Sequence, residues 1–238
     1  MDHTRPRILF FTGTDTDVGK TYVAALAIEE LRNSGKRIGV YKPVASGCVA
    51  QGDALISSDA VRLWESSGRS GELNAVCPQR FLAPLAPPSA AKLEGKTVDE
   101  TLLIRGIDDV CTGMDLIVAE GAGGLMSPLS DNLLNSDFAR RLDAHVVIVA
   151  ANRLGAIHQV LATVTAASAL RLPVVGIVLN QVTETSDLSI SDNAAAISKF
   201  TSVPLLGQIA YGATASGIDW TSLPSPREVS TQIAQAWL

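Results

Sequence analysis

The residues best placed to do chemistry are GTDTDVGKT, positions 13–21, which follow a short apolar run and precede a stretch of good helix formers. Gly19, Lys20 and Thr21 are adjacent, and each type serves a phosphate differently. The glycine lets the backbone approach, the lysine neutralises charge, and the hydroxyl can reach a magnesium ion bridging the phosphates. A helix starting at this point also aims free N–H groups at the anion. The standard loop reads Gly-x-x-x-x-Gly-Lys-Thr; here one extra residue separates Gly13 from Gly19, and Thr14 takes the first-glycine position. The plainer alternative is a helix start capped by Thr16 or Asp17, with Lys20 a solvated charge. Asp15 and Asp17 repel a polyanion, so they must face away or help hold metal or water.

Two further groups follow apolar runs. Lys42-Pro43-Val44-Ala45-Ser46-Gly47 places a lysine just past the second run, at the strand end where ligands gather in open parallel sheets. Lys42 is the main catalytic candidate; an ordinary surface lysine after a strand is the alternative. Glu120-Gly121-Ala122-Gly123-Gly124 sets an acid at the end of another run. Magnesium prefers hard oxygen ligands and keeps several waters, a demand that Thr21, Asp59 and Glu120 meet. Asp59, after Ser57-Ser58, also reads simply as a helix-start acid. Asn180 closes a fifth apolar run; its carboxamide matches the N6 and N7 edge of adenine, although asparagine is also common where strands turn.

The elements that must position these groups alternate along the chain. Continuous apolar runs at 7–11, 38–41, 116–119, 146–150, 174–179 and 205–209 predict strands covered on both faces. Helical patterns fall at 20–33, 58–64, 98–110, 135–142, 156–170 and 191–200, with a last one from 226 to the end. Parallel strands need crossover connections, so the expected fold is α/β, a mostly parallel sheet with helices on both faces, spanning 1–238 as one domain. Strand order is not readable from the pattern. The proline-rich stretch 83–88 reads as an ordered loop rather than a linker.

Composition narrows the function class. Of 238 residues, 47% are hydrophobic and 18% charged, enough apolar material for a sizeable core. A net charge of -5 lacks the basic excess that nucleic-acid binding uses. The three cysteines, Cys48, Cys77 and Cys111, are widely spaced with no CxxC pair, which argues against a disulfide framework or structural zinc. No signal-peptide core or run of about 18 apolar residues is present. The expectation is a cytoplasmic protein without membrane or nucleic-acid partners.

The loop at 13–21, the Lys42–Gly47 group and the Glu120–Gly124 group together, in this order and spacing, resemble the dethiobiotin synthetase family, whose phosphate loop has the same extra length. The resemblance implies a P-loop NTPase-like fold and a magnesium- and ATP-dependent cyclo-ligase of biotin biosynthesis. Such an enzyme joins carbon dioxide to 7,8-diaminononanoate and releases dethiobiotin, ADP and phosphate. It also implies roles. Lys42 and Lys20 would be catalytic, and Ser46 would face the substrate. Asp17, Val18, Gly19, Lys20, Thr21, Tyr22, Asp59, Glu120, Gly121, Ala122 and Gly123 would surround the nucleotide and its metal. Asn180, Gln181, Ala210, Tyr211 and Gly212 would line the base pocket, and a homodimer is expected.

Some positions depart from the family pattern. Where Gly-x-Ile-Asn-His is common near the substrate carboxylate and the subunit boundary, this chain has Gly155-Ala156-Ile157-His158-Gln159. A helix N-terminus can still take a carboxylate there, with a protonated His158 assisting; His158 also reads as an ordinary helix residue. Asp17 replaces a common Glu, Pro88 a common His and Ala210 a common Pro. Two alternatives stay open. One is a partition- or division-type ATPase switch, though the additional early-loop lysine of that class is missing. The other is a synthetase acting on another small molecule, such as the amidotransferase type that works on cobalamin precursors.

Overall fold

The computed structural model describes residues 6–185 and 187–224. The helix expected from 226 onward lies outside them. The chain order is β1 (Arg7–Gly13), α1 (Lys20–Asn33), β2 (Ile38–Tyr41), β3 (Val44–Ala45), β4 (Val49–Gln51), β5 (Ala54–Ile56), α2 (Ser58–Ser66), α3 (Leu73–Val76), β6 (Gln79–Arg80), α4 (Pro87–Leu93) and α5 (Glu100–Arg105). A 3-10 segment (Gly106–Val110), β7 (Leu116–Gly124), α6 (Asn135–Arg141), β8 (His145–Ala151), α7 (Ala156–Ala169), β9 (Val174–Asn180), α8 (Ile190–Phe200) and β10 (Leu205–Ile209) follow, then a short 3-10 turn (Trp220–Ser222).

Six strands form one sheet in the order β10-β9-β8-β1-β7-β2, and every pairing in it is parallel. From β1 the chain steps toward β2, whereas from β7 it steps the opposite way through β8 and β9 to β10. Right-handed crossovers therefore set α1 on one face and α6, α7 and α8 on the other. This double cover explains the uniform runs: β8 and β9 are buried at every residue. Phe10 and Phe11, on opposite faces of β1, pack against Phe138 of α6 and Trp220 respectively.

Three sequence expectations shift. The segment 98–110 is not one helix: Asp99 caps α5 by accepting from Leu102 N, and the Tyr41 hydroxyl then donates toward the Leu102 and Leu103 carbonyls at 3.0 Å each. Gly106 gives this hydroxyl room, since a Cβ there would stand 2.6 Å from it, and the chain tightens to 3-10 geometry. The stretch 83–88 is loop only to Ala86, because Pro87 and Pro88 open α4, a position where proline loses no helical hydrogen bond. Finally β1 and β7 extend to Gly13 and Gly124, past the apolar runs that announced them. Among the described residues no helix is long and apolar enough to cross a membrane.

Candidate active site

Three carboxyl-terminal strand ends converge on one cleft of about 880 Å³. From β1 comes the phosphate loop, from β2 Lys42, and from β7 Glu120. The strands are held in register, with Phe11 opposite Glu120 and Gly13 opposite Gly124. Gly124 packs closely on the phosphate loop, since a Cβ there would meet the Gly13 carbonyl at 3.2 Å, tighter than an ordinary contact.

The phosphate loop turns through Asp17 at φ 57 and Gly19 at φ 83. No side chain caps α1, so neither Thr16 nor Asp17 takes the capping role, and the first-turn amides point out of the helix unclaimed by a cap. Gly19 is doubly required: its backbone is left-handed, and a Cβ would lie 2.2 Å from Asn180 Nδ2. Lys20 folds back over Gly13 to donate to the Asp15 carbonyl at 3.3 Å. Burial pulls its pKa below the ordinary lysine value despite the nearby Glu120. Asp15 turns its carboxylate onto Thr16 N at 2.7 Å, while Asp17 remains on the cleft wall.

At the centre, Lys42 is 3% exposed and Glu120 0%. Lys42 Nζ donates to Glu120 Oε1 at 2.5 Å, to Asp59 Oδ2 at 3.1 Å and to the Gly121 carbonyl at 3.2 Å. Burial alone would lower the Lys42 pKa, but the two carboxylates outweigh it and hold the ammonium charged, well above the ordinary range. Asp59 shows the complementary balance: burial raises its pKa, and Lys42 more than reverses that. Thr21 Oγ1 donates to the same Glu120 oxygen at 2.9 Å. A hydroxyl and two carboxylates thus meet around one cation, and Glu120 Oε2 is buried with no hydrogen-bond partner among the described residues. This hard, all-oxygen donor set suits magnesium.

The Gly121–Gly124 loop is braced from behind. Asn135, fully buried on α6, directs Nδ2 at the carbonyls of Ala122, Gly124 and Ser127 at 2.8, 2.9 and 3.0 Å. Ser127 Oγ accepts from Gly124 N. Neither residue stood out in the sequence, because an asparagine at a helix start carries no motif. The cleft wall also includes Arg62, Pro84, Pro87 and Pro128. Of these, Arg62 had a legible signal: it lies one turn beyond Asp59 on α2.

The predicted residues divide in two. Asp17, Gly19, Lys20, Thr21, Tyr22, Lys42, Ser46, Asp59, Glu120, Ala122 and Gly123 line the cleft. Val18 and Gly121 support it through their carbonyls. Asn180 lies beside this group, donating from Nδ2 to the Val18 carbonyl at 3.0 Å, with Oδ1 buried and unpartnered. Gln181 instead donates to the Thr183 carbonyl. Ala210, Tyr211 and Gly212 form an exposed turn after β10, linked to the loop through the Tyr22 hydroxyl, which donates to the Ala213 carbonyl. The structure does not bring Gly155, Ala156, Ile157 and His158 to this cleft. They start α7 beyond β8, with Gly155 and His158 exposed. Pro88, turned into α4, is also off the cleft wall. Cys48 and Cys77 are buried thiols, and burial pushes Cys77 up to about 12, which fits inert packing.

A family described as AAA domain matches residues 7–217. An ATP-dependent dethiobiotin synthetase BioD of Rhodopirellula baltica is 42% identical, over 85% of this chain and 83% of that protein. One of Anaeromyxobacter dehalogenans is 41% identical over 82% and 86%, and one of Bacillus subtilis 35% identical over 84% and 86%. Among solved structures, the signal recognition particle receptor FtsY from Elizabethkingia anophelis superposes with a TM-score of 0.51 at 17% identity, covering 97% of this chain and 66% of that one. That likeness concerns the P-loop fold alone.

Proposed function

The chain belongs to the ATP-dependent dethiobiotin synthetase family, and from that premise we propose how its own residues carry the reaction. The enzyme uses ATP to join carbon dioxide to 7,8-diaminononanoate and close the ureido ring of dethiobiotin. One amine nitrogen bonds to the carbon of CO2 and loses a proton, giving a carbamate. The γ-phosphoryl group moves to a carbamate oxygen as its bond to ADP breaks. The second amine then attacks the same carbon, phosphate leaves, and the ring closes.

The observation that carries this assignment of roles is the Lys42 ammonium, charged and fixed by Glu120, Asp59 and the Gly121 carbonyl on the wall shared with Lys20. Phosphoryl transfer depends on positioning and preorganised charge. Lys42 stabilises the carbamate and the transferring group, and Lys20 with the first-turn amides of α1 holds the phosphates. Ser46, on the same wall, hydrogen-bonds the diamine side. Thr21, Asp59 and Glu120 would hold magnesium, whose charge, when bound, offsets repulsion among phosphate oxygens.

Asn180 reads adenine. Its Nδ2 is tethered to the Val18 carbonyl, so its orientation is set, and its Oδ1, buried and without a partner among the described residues, is the acceptor assigned to the adenine amino group. Gln181 and the turn at 210–212 border the base. The α7 start at Gly155, Ala156, Ile157 and His158 meets the substrate carboxylate of a second copy's cleft, in a cytoplasmic homodimer. The deciding experiment is a product assay with diamine, bicarbonate, magnesium and ATP, omitting each in turn. Dethiobiotin should form only with all four, and ATP turnover without diamine dependence would defeat the proposal. Light scattering tests the dimer, which an active monomer would remove.

A further inference from the structure

One cation of the cleft has no part in the roles assigned so far. Arg62 is exposed on α2, one helical turn beyond Asp59, and its guanidinium lies over the Tyr22 ring, 4.9 Å from the centroid. Among the described residues it makes no hydrogen bond or ion pair. The platform beneath it is fixed, since the Tyr22 hydroxyl is tied to the Ala213 carbonyl.

Charge balance gives this placement meaning. The cleft wall carries Lys20, Lys42 and Arg62 against Asp17, Asp59 and Glu120. Lys42 is committed to two carboxylates, and Lys20 is buried and directed at a loop carbonyl. Without Arg62 the carboxylates would outnumber the cations, an unfavourable setting for a polyanion. Stacking occupies the face of a guanidinium and leaves its in-plane N–H edge free. That edge suits bidentate contact with phosphate oxygens.

We propose that Arg62 is a nucleotide-binding residue, a polyphosphate contact delivered from α2 and held ready on Tyr22. The inference rests on the nucleotide site proposed above. The polyphosphate is favoured over the substrate carboxylate by the platform itself: Tyr22 directly follows Lys20 and Thr21 in the first turn of α1, where phosphate amides and cations gather. Asp59, one turn before Arg62 on α2, reaches the same cleft and accepts from Lys42.

The test is calorimetric binding of ADP and of adenosine, with magnesium, to the wild type, Arg62→Ala and Arg62→Lys, alongside steady-state KM values. Arg62→Ala should weaken ADP about tenfold and leave adenosine within about twofold. Arg62→Lys should recover part of the loss, and the KM for diamine should stay unchanged. Equal losses for ADP and adenosine would reduce Arg62 to packing on Tyr22 and overturn the proposal. A rise confined to the diamine KM would make it a carboxylate contact, and unchanged ADP binding would leave it no role. A wild type that binds ADP but makes no dethiobiotin would defeat the reaction assigned above, while the ADP and adenosine comparison would still decide Arg62.

Discussion

The two ends of the proposed nucleotide site are built differently. At the phosphate end, over β1, β2 and β7, Lys42 and Glu120 are buried and already paired: Lys42 spans Glu120 and the half-buried Asp59, and Thr21 joins the Glu120 carboxylate. At the base end, over β9 and β10, a single buried amide, Asn180, is followed by an exposed turn in which Tyr211 is 54% exposed. The contrast teaches that the fold preorganises the centre where charge must move and leaves the recognition end to be completed by what binds. Electrostatic stabilisation demands that order, since dipoles fixed before the reaction cost no rearrangement during it.

The sharpest way to break the comparison is at the centre. Lys42→Ala should lower kcat by about 10²–10³-fold while ADP still binds, measured by product formation and calorimetry; near-normal turnover would strip Lys42 of its role. Gly19→Ala should follow in size. Its left-handed backbone disfavours a side chain, and the new Cβ would collide with Asn180, so about 1–3 kcal/mol of stability should be lost, together with ADP binding. Thermal melts and titration check both halves.

The pH response sharpens the contrast further. Asp59 is depressed below its ordinary 3.8, so its contribution is present above that value and fades as pH falls through the lower folded one. Lys42 is raised above 10.5, so its contribution is complete below that value and fades only in stronger alkali. Melting temperatures of the wild type should therefore keep this contribution across neutral pH and lose it below about pH 4. Asp59→Asn should melt lower at neutral pH and show less of the acid-side loss; an acid limb identical to the wild type would sever the link.

At the base end the effects shrink. Asn180→Ala should weaken ADP about tenfold with little change in diamine KM. Tyr211→Ala, on the exposed turn, should change stability by under about 0.5 kcal/mol. A larger cost there would show that the turn is more firmly built than its exposure indicates.

Most of the scaffold was legible because its signals are local. Buried parallel strands write themselves as unbroken apolar runs, and all six sheet strands fall near the expected positions. However, β10 is not covered on both faces as its run suggested: it is an edge strand, half-buried, with Gln208 exposed. The short pieces β3 to β6 and α3 escaped for the opposite reason: two to four residues are too few to show a period. The break between α5 and the 3-10 segment escaped because its cause, the Tyr41 hydroxyl, is distant in sequence.

What the sequence determined alone was chemistry carried by neighbours in the chain: Gly19-Lys20-Thr21 after a strand, Lys42 and Glu120 at strand ends, and the alternation that requires a parallel α/β fold. Tertiary structure alone decided strand order, the meeting of Lys42 with Glu120 across 78 positions, the bracing of the glycine loop by Asn135, and the separation of Gly155 through His158 from the cleft. The physical reason is range. Backbone preference and burial period act over a few residues and leave a readable trace, whereas the partner of a buried charge is chosen by which strands become neighbours, and no local pattern records that choice.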